Sequence, residues 1–246
     1  MNGELTSAGA TVSEQSLRSS RAKPFTKQLV QHWNFIIIVL LGIYAGLPFL
    51  APVLMRMGLS GSAQAIYQVY STQCHQLPER SYFLFGPKLM YSLEEIQAGW
   101  QDTTNPLILR RFIGSPDFGW KVAWSDRMVS MYTSLFIFAI LWQPLRKMGK
   151  RLPIWGLILL ILPLFLDGAT HAISDFSGIG QGFRDSNLWL KYILGSNLSS
   201  SFYSGDGIGS FNSWMRIISG ILFGLGVIWF SFPYLDRWLR EAQAKS

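Results

Sequence analysis

Four long apolar stretches constrain this chain more than any other feature of its sequence. They cover residues 35–55, 128–142, 154–166 and 217–234, and the first contains no charged residue. A helix needs about 20 predominantly apolar residues to cross the hydrocarbon core of a membrane. Two stretches reach that length, and the other two need charged neighbours at the membrane edge to complete a crossing. The pattern predicts an all-α integral membrane protein built as a four-transmembrane-helix bundle.

The charged residues agree with a membrane location and exclude some functions. Only 14% of the residues are charged, whereas a typical soluble domain has about 25%. The net charge of +7 does not indicate a nucleic-acid partner, because the basic residues gather at the ends of the spans. The single cysteine, Cys74, excludes an intramolecular disulfide and zinc sites built from several cysteines.

Basic residues also predict how the bundle is oriented. They are Arg18, Arg21, Lys23 and Lys27 before the first span, Arg146, Lys147, Lys150 and Arg151 between the second and third, and Arg237, Arg240 and Lys245 after the fourth. With four crossings these three segments lie on one side, which the positive-inside rule makes cytoplasmic. We therefore expect both termini in the cytoplasm and the two long connections outside.

The chain divides into a membrane domain and two tails. We expect a disordered cytoplasmic N-terminal tail at 1–33, a four-span domain at 34–236 with spans at about 34–55, 122–143, 153–173 and 214–235, and a cytoplasmic C-terminal tail at 237–246. The outer connections should hold short helices, one after Gly61 that ends at Pro78 and one begun by the capping box Ser92–Glu95. Residues 81–85 and 88–91 flank a Gly–Pro turn and offer the strands of a short hairpin.

Ionisable residues in the two short spans, and at the start of the fourth, are the candidates for a functional site. They are Asp126, Arg127, Asp167, His171 and Arg216. Such residues are costly at membrane depth and usually face the interior of a bundle. The small residues that follow Arg216 at four-residue spacing favour close helix contact on the same face. We therefore expect the five residues to meet beneath the outer surface.

Two kinds of chemistry are open to this cluster. Arg80, Arg127 and Arg216 outnumber Asp126 and Asp167, which favours binding of an anion by the remaining positive charge; the alternative is internal ion pairing. Alternatively, Cys74, His75 and His171, with Asp167, supply ligand types suited to zinc or another transition metal. The alternative to a metal site is a structural polar cap in which Cys74 is an inert buried thiol.

Several motifs together resemble a known family. They are CHQLPERS, YSLEEI, GWKVAWSDRMVSMY, LPLFLDGATH and RIISGILFGLGVIW. The chain resembles, over about residues 34–236, a prokaryotic family of predicted membrane proteins catalogued as domain of unknown function 2085. The resemblance implies a multi-pass protein of a prokaryotic cytoplasmic membrane and no established activity. A second cysteine is common in that family at the position of Ser125, and an acidic residue at Met128, so a two-thiol metal site is less favoured here.

Our leading interpretation is a non-enzymatic accessory or binding protein. Beyond the lipid bilayer, its partner would be an anionic lipid, a ligand or a membrane protein complex. The anion would be held by Arg80, Arg127 and Arg216, in a pocket formed by Ser81, Asp126, Tyr132, Asp167 and Asn212. The alternative is a metal-dependent membrane enzyme that acts on a lipid-linked substrate.

Overall fold

The chain folds into helices and one small antiparallel sheet. The computed structural model describes residues 5–148, 150–195 and 197–244. The helices, in chain order, are α1 (Leu5–Arg56), α2 (Ser60–Tyr70), α3 (Leu93–Gly99), α4 (Pro106–Leu109), α5 (Asp126–Leu145), α6 (Ile154–Asp175), α7 (Phe183–Ser186), α8 (Leu188–Leu194), α9 (Ser200–Tyr203) and α10 (Phe211–Ala244). The strands are β1 (Ser81–Leu84), β2 (Gly114–Ser115) and β3 (Gly119–Ser125).

The four longest helices each contain a segment long and apolar enough to cross a membrane. These segments are Val30–Arg56 in α1, Asp126–Leu145 in α5, Ile154–Asp175 in α6 and Phe211–Ala242 in α10. The prediction of a four-helix membrane protein is therefore confirmed. Helix α10 packs along α5 and α6, and α1 packs against α5.

The closest helix contact in the bundle is made by the small residues of α10. A Cβ atom on Gly220 would lie 2.1 Å from Ser130 Oγ, and one on Gly224 would lie 2.1 Å from Ser134 Oγ. The two serine hydroxyls donate hydrogen bonds of 2.9 Å to the carbonyl oxygens of Arg216 and Gly220. The glycines thus let α5 and α10 of one chain approach closely enough for these bonds to form.

The two long connections, between α1 and α5 and between α6 and α10, form a cap at one end of the bundle. We call residues 57–125 and 176–210 the cap, since they join the end of α1 to α5 and the end of α6 to α10. Its core is the sheet, in the order β1–β3–β2, and the central strand is buried at Val122, Ala123 and Trp124. The predicted capping box is present, because Ser92 and Glu95 each accept the other's backbone N–H.

The prediction of a hairpin between residues 81–85 and 88–91 is wrong in its strand pairing. Strand β1 pairs with β3, so Ser81 lies opposite Ser125 and Leu84 opposite Trp120. The segment 88–91 is joined to β1 by the Phe83 N–H, which donates to the Leu89 carbonyl at 2.8 Å. The buried apolar run of β3 makes it the better partner, although it lies much further along the chain.

Several predicted boundaries also need correction. The second span begins at Asp126 and not at residue 122, because residues 121–125 belong to β3. Helix α1 begins at Leu5, so residues 5–33 of the expected disordered tail are helical, and residues 1–4 lie outside the described range. Helix α10 continues to Ala244 through most of the expected C-terminal tail, and α2 already ends at Tyr70.

Candidate functional site

A network of buried ion pairs lies where α5, α6 and α10 meet the cap. It consists of four arginines and four aspartates: Arg80, Arg127, Arg184 and Arg216 with Asp126, Asp167, Asp175 and Asp206. The two halves of the network are joined by the backbone N–H of Arg127, which donates to Asp126 Oδ1 at 2.8 Å. Three helices and two cap loops are thereby fixed to one another.

Arg216 is the centre of the network. Its Nε donates to Asp126 Oδ2 at 2.7 Å and its Nη1 to Asp206 Oδ1 at 2.6 Å. Its Nη2 donates to the carbonyl oxygen of Asp206 at 2.9 Å, and the side chain is 1% exposed. All three guanidinium nitrogens are occupied and hidden from solvent, so the interpretation of Arg216 as an anion-binding residue has no support from this geometry.

Arg80 links the network to the cap. Its Nε donates to Asp206 Oδ2 at 2.8 Å, and its two Nη atoms donate to the Asp175 carboxylate at 2.7 Å each. Burial by itself lowers the pKa of Arg80, but the charge of Asp206 and the contact with Asp175 outweigh it and hold that pKa well above its ordinary value. Burial would raise the pKa of Asp206, but the charges of Arg80 and Arg216 hold it well below its ordinary value.

The α6 half of the network surrounds Asp167. Its Oδ2 accepts from Arg127 Nε at 3.1 Å and Nη2 at 2.8 Å, and its Oδ1 accepts from Arg184 Nη2 at 2.7 Å. His171, one turn further along the helix, has Nε2 at 3.2 Å from the same Arg184 nitrogen. The five ionisable residues singled out in the sequence are therefore brought together by these contacts.

The charge balance differs from the one that the sequence indicated. Arg184, Asp175 and Asp206 were missed, and with them the network holds as many aspartates as arginines. Arg184 lies in the four-residue helix α7 and Asp206 in a loop, both within a Gly- and Ser-rich part of the cap where no periodicity marks them. An excess of arginine therefore does not argue for an anion, because the ion pairs neutralise one another.

A cavity of about 520 Å³ lies beside this network, and we call it the arginine cavity. Its polar lining consists of Gln73, Cys74, His75, Gln76, Arg80, Ser125, Arg127, His171 and Asp175. Its apolar lining consists of Leu77, Pro106, Met128, Ala172, Phe176 and Ile179, with Gly168 completing the wall. The CHQ segment of the cap thus lines the same cavity as the end of α6.

The five residues expected to form the pocket do not line this cavity. Asp126 and Asp167 lie behind its wall in the ion-pair network. Ser81 and Asn212 are fully buried, and both donate to backbone carbonyl oxygens. Tyr132 of α5 stacks on the buried Trp124 of β3. These five residues therefore contribute to the packing and ion pairs behind the cavity and do not line it.

The structure also bears on the predicted metal ligands. Cys74 Sγ lies 3.4 Å from Ser125 Oγ, and His75 is exposed at the cavity rim. Within residues 5–148, 150–195 and 197–244, no three His, Cys, Asp or Glu side chains are grouped as metal ligands would be. Arg184 Nη2 lies 3.2 Å from His171 Nε2 and places a positive charge beside the imidazole, which disfavours a cation there. The metal-dependent alternative therefore has no supporting geometry.

The fold and the network define a multi-pass helical membrane protein with a cap anchored by buried ion pairs. A family model described as "Predicted membrane protein (DUF2085)" matches residues 117–230, which confirms the family resemblance. The chain is also similar to the Uncharacterized protein MJ1492 of Methanocaldococcus jannaschii, with 25% identity over 172 residues, 67% of this chain and 83% of the relative. No solved structure matches the chain.

Proposed function

We propose that this protein is a membrane-embedded binding protein whose arginine cavity holds the anionic group of a lipid or ligand through Arg127. This proposal rests on the solvent exposure of the Arg127 side chain. Arg127 is 25% exposed at the cavity wall, against 11% for Arg80, 7% for Arg184 and 1% for Arg216. Of the two arginines that line the cavity, Arg80 and Arg127, Arg127 is thus the more accessible to a bound molecule.

The orientation of Arg127 suits this role. Asp167 holds one edge of the guanidinium through Nε and Nη2, which fixes the plane of the group. Nη1 has no hydrogen-bond partner among the described residues, and it lies 3.9 Å from the position of a Cβ on the cavity-lining Gly168. Because the network is neutral, hydrogen bonds from a pre-oriented donor, and not surplus charge, would select the anion.

The rest of the wall indicates what else the ligand carries. Met128, Phe176 and Ile179 supply an apolar surface next to Arg127, and Phe176 is 90% exposed. A molecule with an anionic group and an apolar part, such as an anionic phospholipid, fits both kinds of lining. A soluble carboxylate or a partner protein that presents an acidic side chain would use the same donor.

The test compares Arg127→Gln with Arg111→Gln, an exposed arginine outside the cavity. Native mass spectrometry of the detergent-purified protein would count bound phosphatidylglycerol, with phosphatidylcholine as the zwitterionic reference. We expect Arg127→Gln to reduce phosphatidylglycerol retention at least fivefold, and Arg111→Gln and the charge-retaining Arg127→Lys to have smaller effects. Equal retention in Arg127→Gln and the unmodified protein would refute a lipid ligand at Arg127.

We also propose that the cap lies outside a prokaryotic cytoplasmic membrane, with both termini in the cytoplasm. The basic residues beside α1, α5, α6 and α10 support this orientation. In a Cys74→Ser background, Asp117→Cys in the cap should react with a membrane-impermeant maleimide in intact cells. Lys147→Cys at the opposite end should react only after permeabilisation. The reverse pattern would overturn the orientation.

A further inference from the structure

A second cavity, of about 540 Å³, lies within the cap and has the opposite electrostatic character. We call it the acidic cavity. The four carboxylates that line it are those of Glu79, Glu94, Asp185 and Asp206, and among the described lining residues there is no lysine, arginine or histidine. Its volume falls in the range of small-molecule sites, which is roughly 300–1,000 Å³. A positively charged ligand is therefore the one that its lining favours.

Three of the four carboxylates are already accounted for. Asp206 is paired with Arg80 at 2.8 Å and with Arg216 at 2.6 Å. Asp185 accepts the backbone N–H of Gly182 at 2.7 Å, and Glu94 is exposed at the rim. None of these three needs a ligand to explain its position.

Glu79 has no such explanation. Its side chain is buried, and neither carboxylate oxygen accepts a hydrogen bond of good geometry within the described part of the chain; its own backbone N–H lies close enough only to lower its pKa against the larger effect of burial. The basic groups whose charges act on it donate elsewhere: Arg80 to aspartates, and Lys121 to the carbonyl oxygens of Gln76 at 2.6 Å and Arg110 at 3.1 Å. A buried carboxylate without a partner is costly, so a partner from outside the chain would stabilise it.

The form of the cavity distinguishes between kinds of cation. Metal ions held by protein side chains need several His, Cys, Asp or Glu ligands on one centre, and no such group of three occurs in the described residues. The cavity is also much larger than a bare ion. Its lining hydroxyls, from Ser92, Thr104, Ser201 and Ser204, can accept hydrogen bonds from N–H groups. An organic ammonium group, with up to three donors and an attached carbon chain, fits this lining better.

We infer that the acidic cavity binds a small organic ammonium ion, with the Glu79 carboxylate as its partner inside the cap. The ammonium group would supply the hydrogen bonds that Glu79 lacks, and the carbon chain would lie toward Leu93, Ile179 and Ile208. The site is separate from the arginine cavity. It favours a cation where the arginine cavity is proposed to favour an anion, so it extends the proposed function to a second class of ligand. The ammonium group could belong to a free amine or to the headgroup of a lipid.

The first test uses the full chain in maltoside detergent and isothermal titration calorimetry. The probe is 1,4-diaminobutane, and 1,4-butanediol is the uncharged molecule of the same length. We expect the diamine to bind at least tenfold more tightly than the diol. Glu79→Gln, which removes the charge and keeps the shape, should weaken diamine binding at least tenfold, whereas Asp117→Asn, the same change at an exposed turn, should not alter it.

Two further measurements identify the source of the amine and guard against a folding defect. If native mass spectrometry shows phosphatidylethanolamine retained by the unmodified protein and lost in Glu79→Gln, the ligand is a lipid headgroup. Glu94→Gln at the exposed rim cannot disturb the core and should weaken binding about two- to threefold. If neither the diamine nor phosphatidylethanolamine binds the unmodified protein, or if Glu79→Gln binds them equally well, the inference is wrong.

Discussion

Replacing Glu79 with glutamine is expected to stabilise the ligand-free protein at pH 8 and to leave its stability nearly unchanged at pH 4. Burial raises the pKa of Glu79 from 4.5 to about 7, against the opposing charges of Arg80 and Lys121. At pH 8 the folded protein must therefore hold a buried carboxylate without a partner. Glutamine has the shape of the protonated acid and does not ionise, so the cost is removed.

The sign and size of the effect follow from the two pKa values. A carboxyl group whose folded-state pKa is raised contributes stability that is fully present below about pH 4.5 and is lost as the pH rises through about 7. The shift is roughly 2.5 pH units, and each unit corresponds to about 1.4 kcal/mol. The unmodified protein should therefore lose about 3 kcal/mol relative to Glu79→Gln between pH 4 and pH 8.

The ionisable groups near Glu79 do not produce the same pH dependence of the stability difference. Arg80 and Asp206 have pKa values displaced away from neutrality, so both stay charged across the window. Burial lowers the pKa of Lys121 from 10.5 to about 7. Lys121 then adds stability as the pH rises from about 7 to 10.5, with the opposite sign, and it does so in both proteins. Its contribution largely cancels in the difference.

Thermal unfolding followed by tryptophan fluorescence in detergent measures this difference. At about 2–4 °C per kcal/mol for a protein of this size, the midpoints should diverge by roughly 6–12 °C at pH 8 and coincide near pH 4. Asp117→Asn should follow the unmodified protein at every pH. Parallel curves, or a Glu79→Gln midpoint lower at pH 8, would show that Glu79 has a partner in the ligand-free protein and would refute the reasoning.

Two further predictions concern the network and the helix contact. Asp167→Asn removes the carboxylate that Arg127 and Arg184 share and leaves both arginines without that partner. The change should cost about 3–5 kcal/mol of folding stability, visible as a lower unfolding midpoint at all pH values above 5. An unchanged midpoint would mean that the network does not hold the cap. Gly224→Ala places a methyl group 2.1 Å from a serine hydroxyl of α5 and should lower the folding stability by about 1–3 kcal/mol. In the control variant Gly46→Ala the added methyl group meets no atom within 4 Å, so the stability should not fall. Equal effects of the two substitutions would contradict the packing of α5 against α10.

The convergence of the ionisable residues could be predicted in part from the sequence. Asp126, Arg127, Asp167, His171 and Arg216 lie near the ends of apolar segments, and the cost of a charge at that depth leaves them few positions except the interior. Their partners could not be predicted, because Arg184 and Asp206 come from a Gly- and Ser-rich part of the cap without periodicity and Asp175 is the last residue of α6, beyond the apolar segment. The count of charges, and with it the argument for an anion, therefore changed once the cap was placed.

The sequence by itself determined the number of spans, the membrane character and the capping box at Ser92 and Glu95. These features depend on hydrophobicity summed over neighbouring residues and on contacts three or four positions apart, which no distant part of the chain can change. Only the tertiary structure decided that β1 pairs with β3, that four aspartates balance four arginines, and that Glu79 is buried without a partner. Those outcomes depend on which residues distant in sequence lie within a few ångströms of each other, because ion pairs and hydrogen bonds act only at contact.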